Sequence, residues 1–542
     1  MDKIFINQVG FRRRDSKKAI LNFEANGFEL IDRKGMVVYK GEVVHYGEDD
    51  ISGENTYIAD FSEYTEPGSF KVRASMITSY EFEISDKVYD QLLRDVCKAF
   101  YYLRCGNTQK KEFSGKYYHA PCHLNKAMVY GSKEEMIDVS GGWHDAGDYG
   151  RYSTAGAVAC AHILYGIRMF GMLEDTEFDI PKINCEKGEF PDILSEVKTE
   201  LDFLLKMQRK DGGVWHKVTT FCHAPFIMPE NDLDQLYLFA VSSMATADAA
   251  AVFALAYTVY RRYDEAYAKT LLEASEKSYM WLERNEEAVL FKNPEGSNTG
   301  EYGESEDLTN RFWASVSLYE AKGDDKYFKD AEKIAKKIRD NNIEFTGFGW
   351  ASVAGFGFVS LLFGNNDCRL YEELKNDFLK EAKKLSRIAS ENGFDLCMER
   401  KDFVWGSNME VLKNLMILIV ADYINKNNDF GELLNSGLDY LLGCNSMDVS
   451  YVTGHGENAF KNPHLRPVMA GNIESWPGLV SGGPNITFMD DKARELPKEL
   501  APMKCYMDHK LCYSLNEITI YWNSPLVFVL AGMAYDYEKN RV

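Results

Sequence analysis

The chain has 542 residues, of which 45% are apolar and 27% charged. That balance fits packed globular domains and argues against disorder. Sixty-two basic side chains stand against 83 acidic ones, a net charge of −21, so a polyanion such as nucleic acid would be repelled. No run of ~18 apolar residues offers a membrane span.

The chain opens MDKIFINQVGF, without the basic head and apolar run of a secretory signal. With Met1 as the natural start, a cytoplasmic protein is expected. The 11 cysteines are odd in number and scattered. They read as free thiols with a candidate metal site, not as a disulfide framework.

Residues 1–86 carry short β-branched and aromatic segments: Ile4–Ile6, Ala19–Phe23, Phe28–Ile31, Met36–Tyr39, Thr56–Asp60, Gly68–Val72 and Tyr80–Ile84. Turn formers such as Glu66-Pro67-Gly68 separate them. Strands at ~8–12-residue spacing predict an all-β sandwich. From residue 87 to 542 the period becomes that of helices. About twelve are expected, near 89–104, 152–170, 193–208, 243–262, 264–284, 308–322, 325–341, 349–362, 369–390, 407–426, 428–443 and 523–539. In the third, Ile193, Val197, Leu201, Leu204 and Leu205 make one apolar face, and Asp192 is a candidate cap. Six helical hairpins close economically as an all-α double ring, an (α/α)6 barrel. The almost uncharged Ala247–Tyr260 suits an inner position. The segments from Asp264 and Asp325, charged on one face, suit outer ones.

The stretches 105–150, 209–241, 287–307 and 444–522 lack helical periodicity. Loops this long are usually functional. None of the segments G-x-S-x-G, H-E-x-x-H, G-x-x-x-x-G-K-[ST] or G-x-G-x-x-G is present, which removes most support for nucleotide and zincin chemistry. IDVSGGWHDAGDYGRY sets Asp145 and Asp148 among four glycines and three aromatics. Crowded carboxylates raise one pKa and favour base chemistry; a solvated acidic turn or a calcium loop is the plainer alternative. SLNEITIYWNSPLVF places Glu517 beside Tyr513 and Trp522. Burial there would hold its proton, as a general acid needs, whereas a glutamate favoured by a helix start needs no chemistry. The same long stretch offers His455, His464 and Arg466; His464 and Arg466, on a Pro-bounded loop, are candidate donors for sugar hydroxyls, and a structural histidine is the plainer alternative. Cys105, Cys122, His123 and His144 make a Cys2His2 set without finger spacing. Thiolate and imidazole suit a closed tetrahedral zinc site, and four unrelated residues are the alternative.

In order, GGWHDAGDYGRY, DGGVWHKVT, LLGCNSMDVSYVTGHG, NPHLRP, GGPN and NEITIYWNSPLV resemble glycoside hydrolase family 9 over residues 88–540. INQVGF and the β-rich start resemble the immunoglobulin-like module of one branch of that family. The resemblance implies an (α/α)6 barrel and an inverting hydrolase of β-1,4-glucosidic bonds. It makes Asp148 the base that activates water, Asp145 its helper and Glu517 the general acid. It also implies sugar contacts from His464 and Arg466, and makes His216, Trp313, Trp405, Tyr513 and Trp522 candidate cleft walls. Similar cysteines and histidines bind a structural zinc in that branch, so zinc is expected at Cys105, Cys122, His123 and His144, and no organic cofactor. Leu465 replaces a histidine of the usual pattern. In GEYGESEDLTNRFWA the family's Asp-Glu pair is missing near Thr309–Arg311, which leaves Glu304 and Asp307 as weakened calcium ligands, with Asp490 in a second loop. The expected substrate is a soluble β-linked glucan or cello-oligosaccharide. An exo-β-glucosaminidase and a non-catalytic sugar-binding protein are the alternatives.

Overall fold

The structure is a computed structural model and describes residues 1–107 and 109–535. Ten strands come first: β1 Ile4–Phe5, β2 Gly10–Phe11, β3 Lys18–Leu21, β4 Phe28–Asp32, β5 Val37–Gly41, β6 Val43–Asp49, β7 Glu54–Asp60, β8 Gly68–Ala74, β9 Ile77–Thr78 and β10 Phe82–Ile84. The short β2 and β9, and the largely exposed β6, are three beyond the seven expected. The strands form two sheets, ordered β1-β3-β7-β6 and β2-β10-β8-β4-β5, with β9 on β8. Alternation aims Phe70, Val72 and Ala74 of β8 inward, as the period of two requires. They meet Phe11, Phe28, Leu30, Phe61 and Phe82 in a core of the sandwich's own.

Among the described residues twelve long helices follow: α1 Asp90–Tyr102, α2 Ser153–Phe170, α3 Asp192–Met207, α4 Ser243–Tyr260, α5 Glu265–Arg284, α6 Leu308–Lys322, α7 Asp325–Asp340, α8 Ala354–Gly364, α9 Arg369–Ala389, α10 Ser407–Asn425, α11 Gly431–Leu441 and α12 Ile520–Ala534. All match expected segments; 536–539 of the last expected segment lie outside the described residues. Even-numbered helices form the inner ring, with neighbours α2–α4–α6–α8 and α10–α12–α2. Each odd-numbered helix packs outside an inner one: α1 on α12, α3 on α2, α5 on α4, α7 on α6, α9 on α8 and α11 on α10. Composition assigns the rings. Helix α4 has Asp248 as its sole charge and is buried along nearly its whole length. Helix α7 buries only Tyr327, Ala331, Ala335 and Ile338, one stripe at helical spacing.

Two local expectations change. Asp192 does not cap α3; Pro191 holds that position, and Asp192 accepts from Phe178 N–H (2.9 Å) and pairs with Lys182. The stretches without helical period also hold a small sheet. Its strands, in spatial order, are Met136–Ile137, Ala127–Val129, Leu236–Leu238, Lys217–Thr220 and Arg151–Tyr152. Its last strand carries Tyr152, which lines the site described next.

The sandwich rests on the barrel through buried polar contacts. Asn7 Nδ2 donates to Asp439 Oδ1 (2.7 Å), Gln8 N–H donates to Leu442 O (2.9 Å), and Asn458 N–H donates to Gln8 Oε1 (2.7 Å). Phe5 and Ile20 join the barrel's core rather than the sandwich's.

Candidate active site

Asp145, Asp148 and Glu517 line one cavity of about 280 Å3. Ala146, Tyr152, His223, Gly300, Glu301, Tyr302, Trp350, Trp405, Thr519, Tyr521 and Trp522 complete its wall. Local backbone contacts bring the distant segments together. Ile520 N–H donates to Asp145 O (2.8 Å), and Asp145 N–H to Gly150 O (3.0 Å). His464 pairs with Glu517 as an isolated bridge. Gly147 sits where these strands of chain cross: a Cβ there would lie 2.3 Å from His464 O, so only glycine fits.

The three carboxyls are held in different states. Burial pushes Asp148 up, but the hydrogen bond and charge of His223, then Arg466 and Tyr152, reverse this and hold it well below the usual carboxylate range. Its Oδ2 accepts from Tyr152 Oη (3.0 Å) and Gly150 N–H (3.2 Å), with His223 Nδ1 at 3.4 Å. Glu517 goes the other way. Burial, then the charge of Asp148, push it up to about 8, against the opposing pull of Arg466 and of Gly147 N–H. Asp145 Oδ2 accepts from Tyr302 Oη (2.6 Å), while Oδ1 is buried without a protein partner. At neutral pH the cavity thus holds an anionic Asp148 and a protonated Glu517, and Asp145, pushed well above the usual carboxylate range by burial and then by the charge of Asp148, leaves its Oδ1 open to a polar reactant. This is an acid, a base and a place for a polar reactant.

The expected walls divide. Trp405 and Trp522 line the cavity, as do Trp350 and Tyr521. Tyr513 stands just outside and packs on Trp405 (5.4 Å between rings) and His464 (5.9 Å). Trp313 is not a wall. It lies fully buried in α6, where its indole N–H donates to Tyr165 Oη (2.8 Å) and its ring packs on Phe356. His216 is also behind the cavity. It stacks on Phe291 (4.0 Å) and bridges Ser242 Oγ and Glu301 O, both at 2.8 Å. Since Glu301 O only accepts, Nε2 carries the proton. Burial pushes this imidazole down to about 3 and keeps it neutral. Arg466 is buried and spent on carbonyls, with Nε on Ala224 O (2.8 Å) and Nη1 on Gly147 O (2.6 Å). His464 Nδ1 bonds Lys510 O (2.8 Å). Both therefore brace the loops around the carboxyls.

Tyr152, His223, Tyr302, Trp350 and Tyr521 are wall residues that motif reading does not single out. Tyr152 and Tyr302 sit inside quoted segments, four residues after Asp148 and in GEYGES, so proximity to the acids was their available signal. His223 is a lone histidine with none.

Cys105, Cys122, His123 and His144 are all buried, with ligand atoms within 4.8 Å of one another. Sγ of Cys122 lies 3.9 Å from Sγ of Cys105 and 3.7 Å from Nε2 of His144, and Sγ of Cys105 lies 3.8 Å from Nδ1 of His123. A disulfide needs ~2.05 Å; tetrahedral edges around a metal with ~2.0–2.3 Å bonds come to about 3.3–3.8 Å. Nε2 of His123 faces Asp232 Oδ2 at 3.2 Å, the orienting partner usual for a ligating imidazole. These four residues form a site that can hold a metal.

The calcium candidates do not gather into one. Asp307 is paired with Arg311 Nε (2.8 Å), whose other nitrogens donate to Leu282 O and Asn285 O. A guanidinium thus neutralises Asp307. Asp490 is spent on Ala493 N–H (2.7 Å) and Ser514 N–H (2.8 Å). Glu304 is half-buried and pushed up to about 10 by burial and by Asp248, Glu306 and Asp307, and neither of its carboxyl oxygens has a partner among the described residues.

Residues 89–530 match the family described as Glycosyl hydrolase family 9, and residues 1–79 match the Cellulase N-terminal ig-like domain. A cellodextrinase of Butyrivibrio fibrisolvens is 57% identical, over 98% of this chain and 100% of the relative. The structure of a thermostable endoglucanase from Alicyclobacillus acidocaldarius superposes with a TM-score of 0.92 at 32% identity, covering 98% of this chain and 100% of that one. A Zn-binding triple mutant of the family 9 endoglucanase J30 gives a TM-score of 0.90 at 31% identity, covering 97% and 100%. The chain belongs to glycoside hydrolase family 9, with the immunoglobulin-like sandwich in front of the (α/α)6 barrel.

Proposed function

We propose that the protein is an inverting hydrolase of β-1,4-linked glucans that works on soluble cello-oligosaccharides, as the name of the cellodextrinase relative suggests for that protein. The observation that carries this reading is the split between two carboxyls on one cavity: Asp148 anionic and Glu517 protonated up to about 8. Asp148 accepts a proton from water, and the vacant Oδ1 of Asp145 orients that water. The water attacks the anomeric carbon from the face opposite the leaving oxygen. Glu517 delivers its proton to that oxygen as the C–O bond breaks, and the configuration inverts. Trp350, Trp405, Tyr521 and Trp522 offer ring faces to the pyranose CH groups.

The same residues open a longer path. A groove of about 520 Å3 between α9, α10 and the segment before α8 shares these four aromatics with the cavity. It gives room for neighbouring sugar units.

The Cys2His2 site suits zinc. Cys105, Cys122, His123 and His144 would hold it, and four protein ligands leave no position for substrate, so the ion supplies a cross-link rather than chemistry. Among the described residues no cysteine is in a disulfide, which fits a reducing cytoplasm.

Product analysis on cello-oligosaccharides, chitosan oligomers and polymeric glucan tests the assignment. Turnover of cellotetraose to shorter glucans, abolished in both Asp148→Asn and Glu517→Gln, supports it. Turnover of chitosan oligomers alone would favour an amino-sugar substrate, and no turnover of any would favour a binding protein.

A further inference from the structure

Lys217 has no exposed surface and is not used by the mechanism above. It lies on the strand that pairs with Arg151–Tyr152, directly opposite Tyr152. An ammonium has three donors; burial pulls this one down to about 7 against the charges of Asp148 and Glu301, and three close acceptors surround it and favour the charged form: Asn293 Oδ1 at 2.6 Å, Gly300 O at 2.7 Å and Thr299 Oγ1 at 2.8 Å. The proton directions agree. Thr219 Oγ1 donates to Thr220 O (2.7 Å), so it accepts from Thr299 Oγ1 (3.1 Å), and Thr299 Oγ1 is left to accept from Lys217. The rings of Phe239, Phe291 and Tyr152 enclose the nitrogen at 4.7, 5.4 and 5.7 Å from their centroids.

The segment that Lys217 fastens is the one that holds both aspartates. Gly300 donates its N–H to Tyr152 Oη (3.0 Å), and Tyr152 Oη donates to Asp148 Oδ2 (3.0 Å). Two residues beyond Gly300, Tyr302 donates to Asp145 Oδ2 (2.6 Å) and rests on the Tyr152 ring (4.8 Å). Gly300, Glu301 and Tyr302 all line the cavity. From this geometry we propose that Lys217 is a positioning residue: its buried ammonium fastens residues 293–300 and so fixes, through Tyr152 and Tyr302, where the carboxylates of Asp148 and Asp145 stand. The proposal rests on the reading of Asp148 as the base. It assigns Lys217 no contact with substrate.

A misplacement of the base lowers the chemical step more than binding. Lys217→Met keeps the length and volume and removes the donors. Its kcat on cellotetraose should fall about 10–100-fold, with KM within about 3-fold. Lys217→Ala leaves room for n-propylammonium, which should restore kcat saturably, while n-propanol should not. The relay adds a readout that general loosening of the fold would not move. Tyr152→Phe breaks the same path, so Lys217→Met in that background should cost clearly less than in the parent. Circular dichroism and melting identify a variant that does not fold; the Tyr152→Phe cycle and the Tyr302→Phe variant, which should lower kcat with KM held, then carry the test. Asp148→Asn separates the two readings. An inactive Asp148→Asn with full kcat in Lys217→Met overturns the role of Lys217 alone, as do additive losses or rescue by propanol. An active Asp148→Asn overturns the base assignment instead.

Discussion

Glu517 shows how one side chain links stability to chemistry. Its folded pKa of about 8 lies above the ordinary value of 4.5. The folded state therefore keeps a proton that the unfolded chain releases, and the stability tied to it is present below about pH 4.5 and lost as pH rises towards 8. Removing the charge should remove that penalty. Glu517→Gln should melt above the parent at pH 8, and the gap should shrink towards pH 5, in paired melting scans. Activity of the parent should fall above about pH 8 as the acid loses its proton. No acidic limb should appear near pH 4, because Asp148 is held well below the usual range; a pH–rate profile of kcat/KM checks both limbs. The two tryptophans that sequence treats alike should separate cleanly. Trp313→Ala empties a buried position in α6 and should cost about 3–5 kcal/mol of stability. Trp405→Ala, at a side chain that is 39% exposed, should raise KM and leave the melting temperature nearly unchanged.

Among elements, the loop 137–152 is bound at both ends of its function: His144 belongs to the Cys2His2 group that can hold a metal and Asp145 to the cavity. A chelator that strips the site should lower the melting temperature and kcat together. Asp232→Asn, which weakens the partner of His123, should lower metal affinity about 10–100-fold by competition titration. Added calcium should give no further stabilisation, since Arg311 already neutralises Asp307. Sequence is a good guide where one residue type has one reason to be there. Helices α4 and α7 are legible because burial imposes their composition, whereas DAGD and NEITIYW are legible through their order along the chain, which resembles the family's, since alone an acidic turn or a helix-start glutamate needs no chemistry. It is a poor guide where identity underdetermines surroundings. His216, Trp313 and Arg466 have sugar-binding chemistry, yet their partners are Glu301 O, Tyr165 and two carbonyls. No local pattern announces that Tyr302 will reach Asp145 across 157 positions. The strand at Lys217–Thr220 is equally hidden, because its partners lie in other loops.

At the level of the molecule, the ring of inner helices and the sandwich beside it form a continuous support for loops that carry the chemistry. We propose 1–86 and 87–542 as its two folding units. Their contact is built on buried polar groups, and Asp439 is pushed well above the usual carboxylate range by burial while Asn7 donates to it. Asn7→Ala leaves that carboxyl without its donor and should cost about 1–3 kcal/mol in denaturant melts, with kcat unchanged at low temperature. The central claim concerns the direction of attack across the cavity between Asp148 and Glu517. Proton NMR of cellotetraose during the first minutes of hydrolysis reads that direction before mutarotation blurs it. The account predicts that the α-anomer of the new reducing end appears first, whereas the β-anomer appearing first would contradict it.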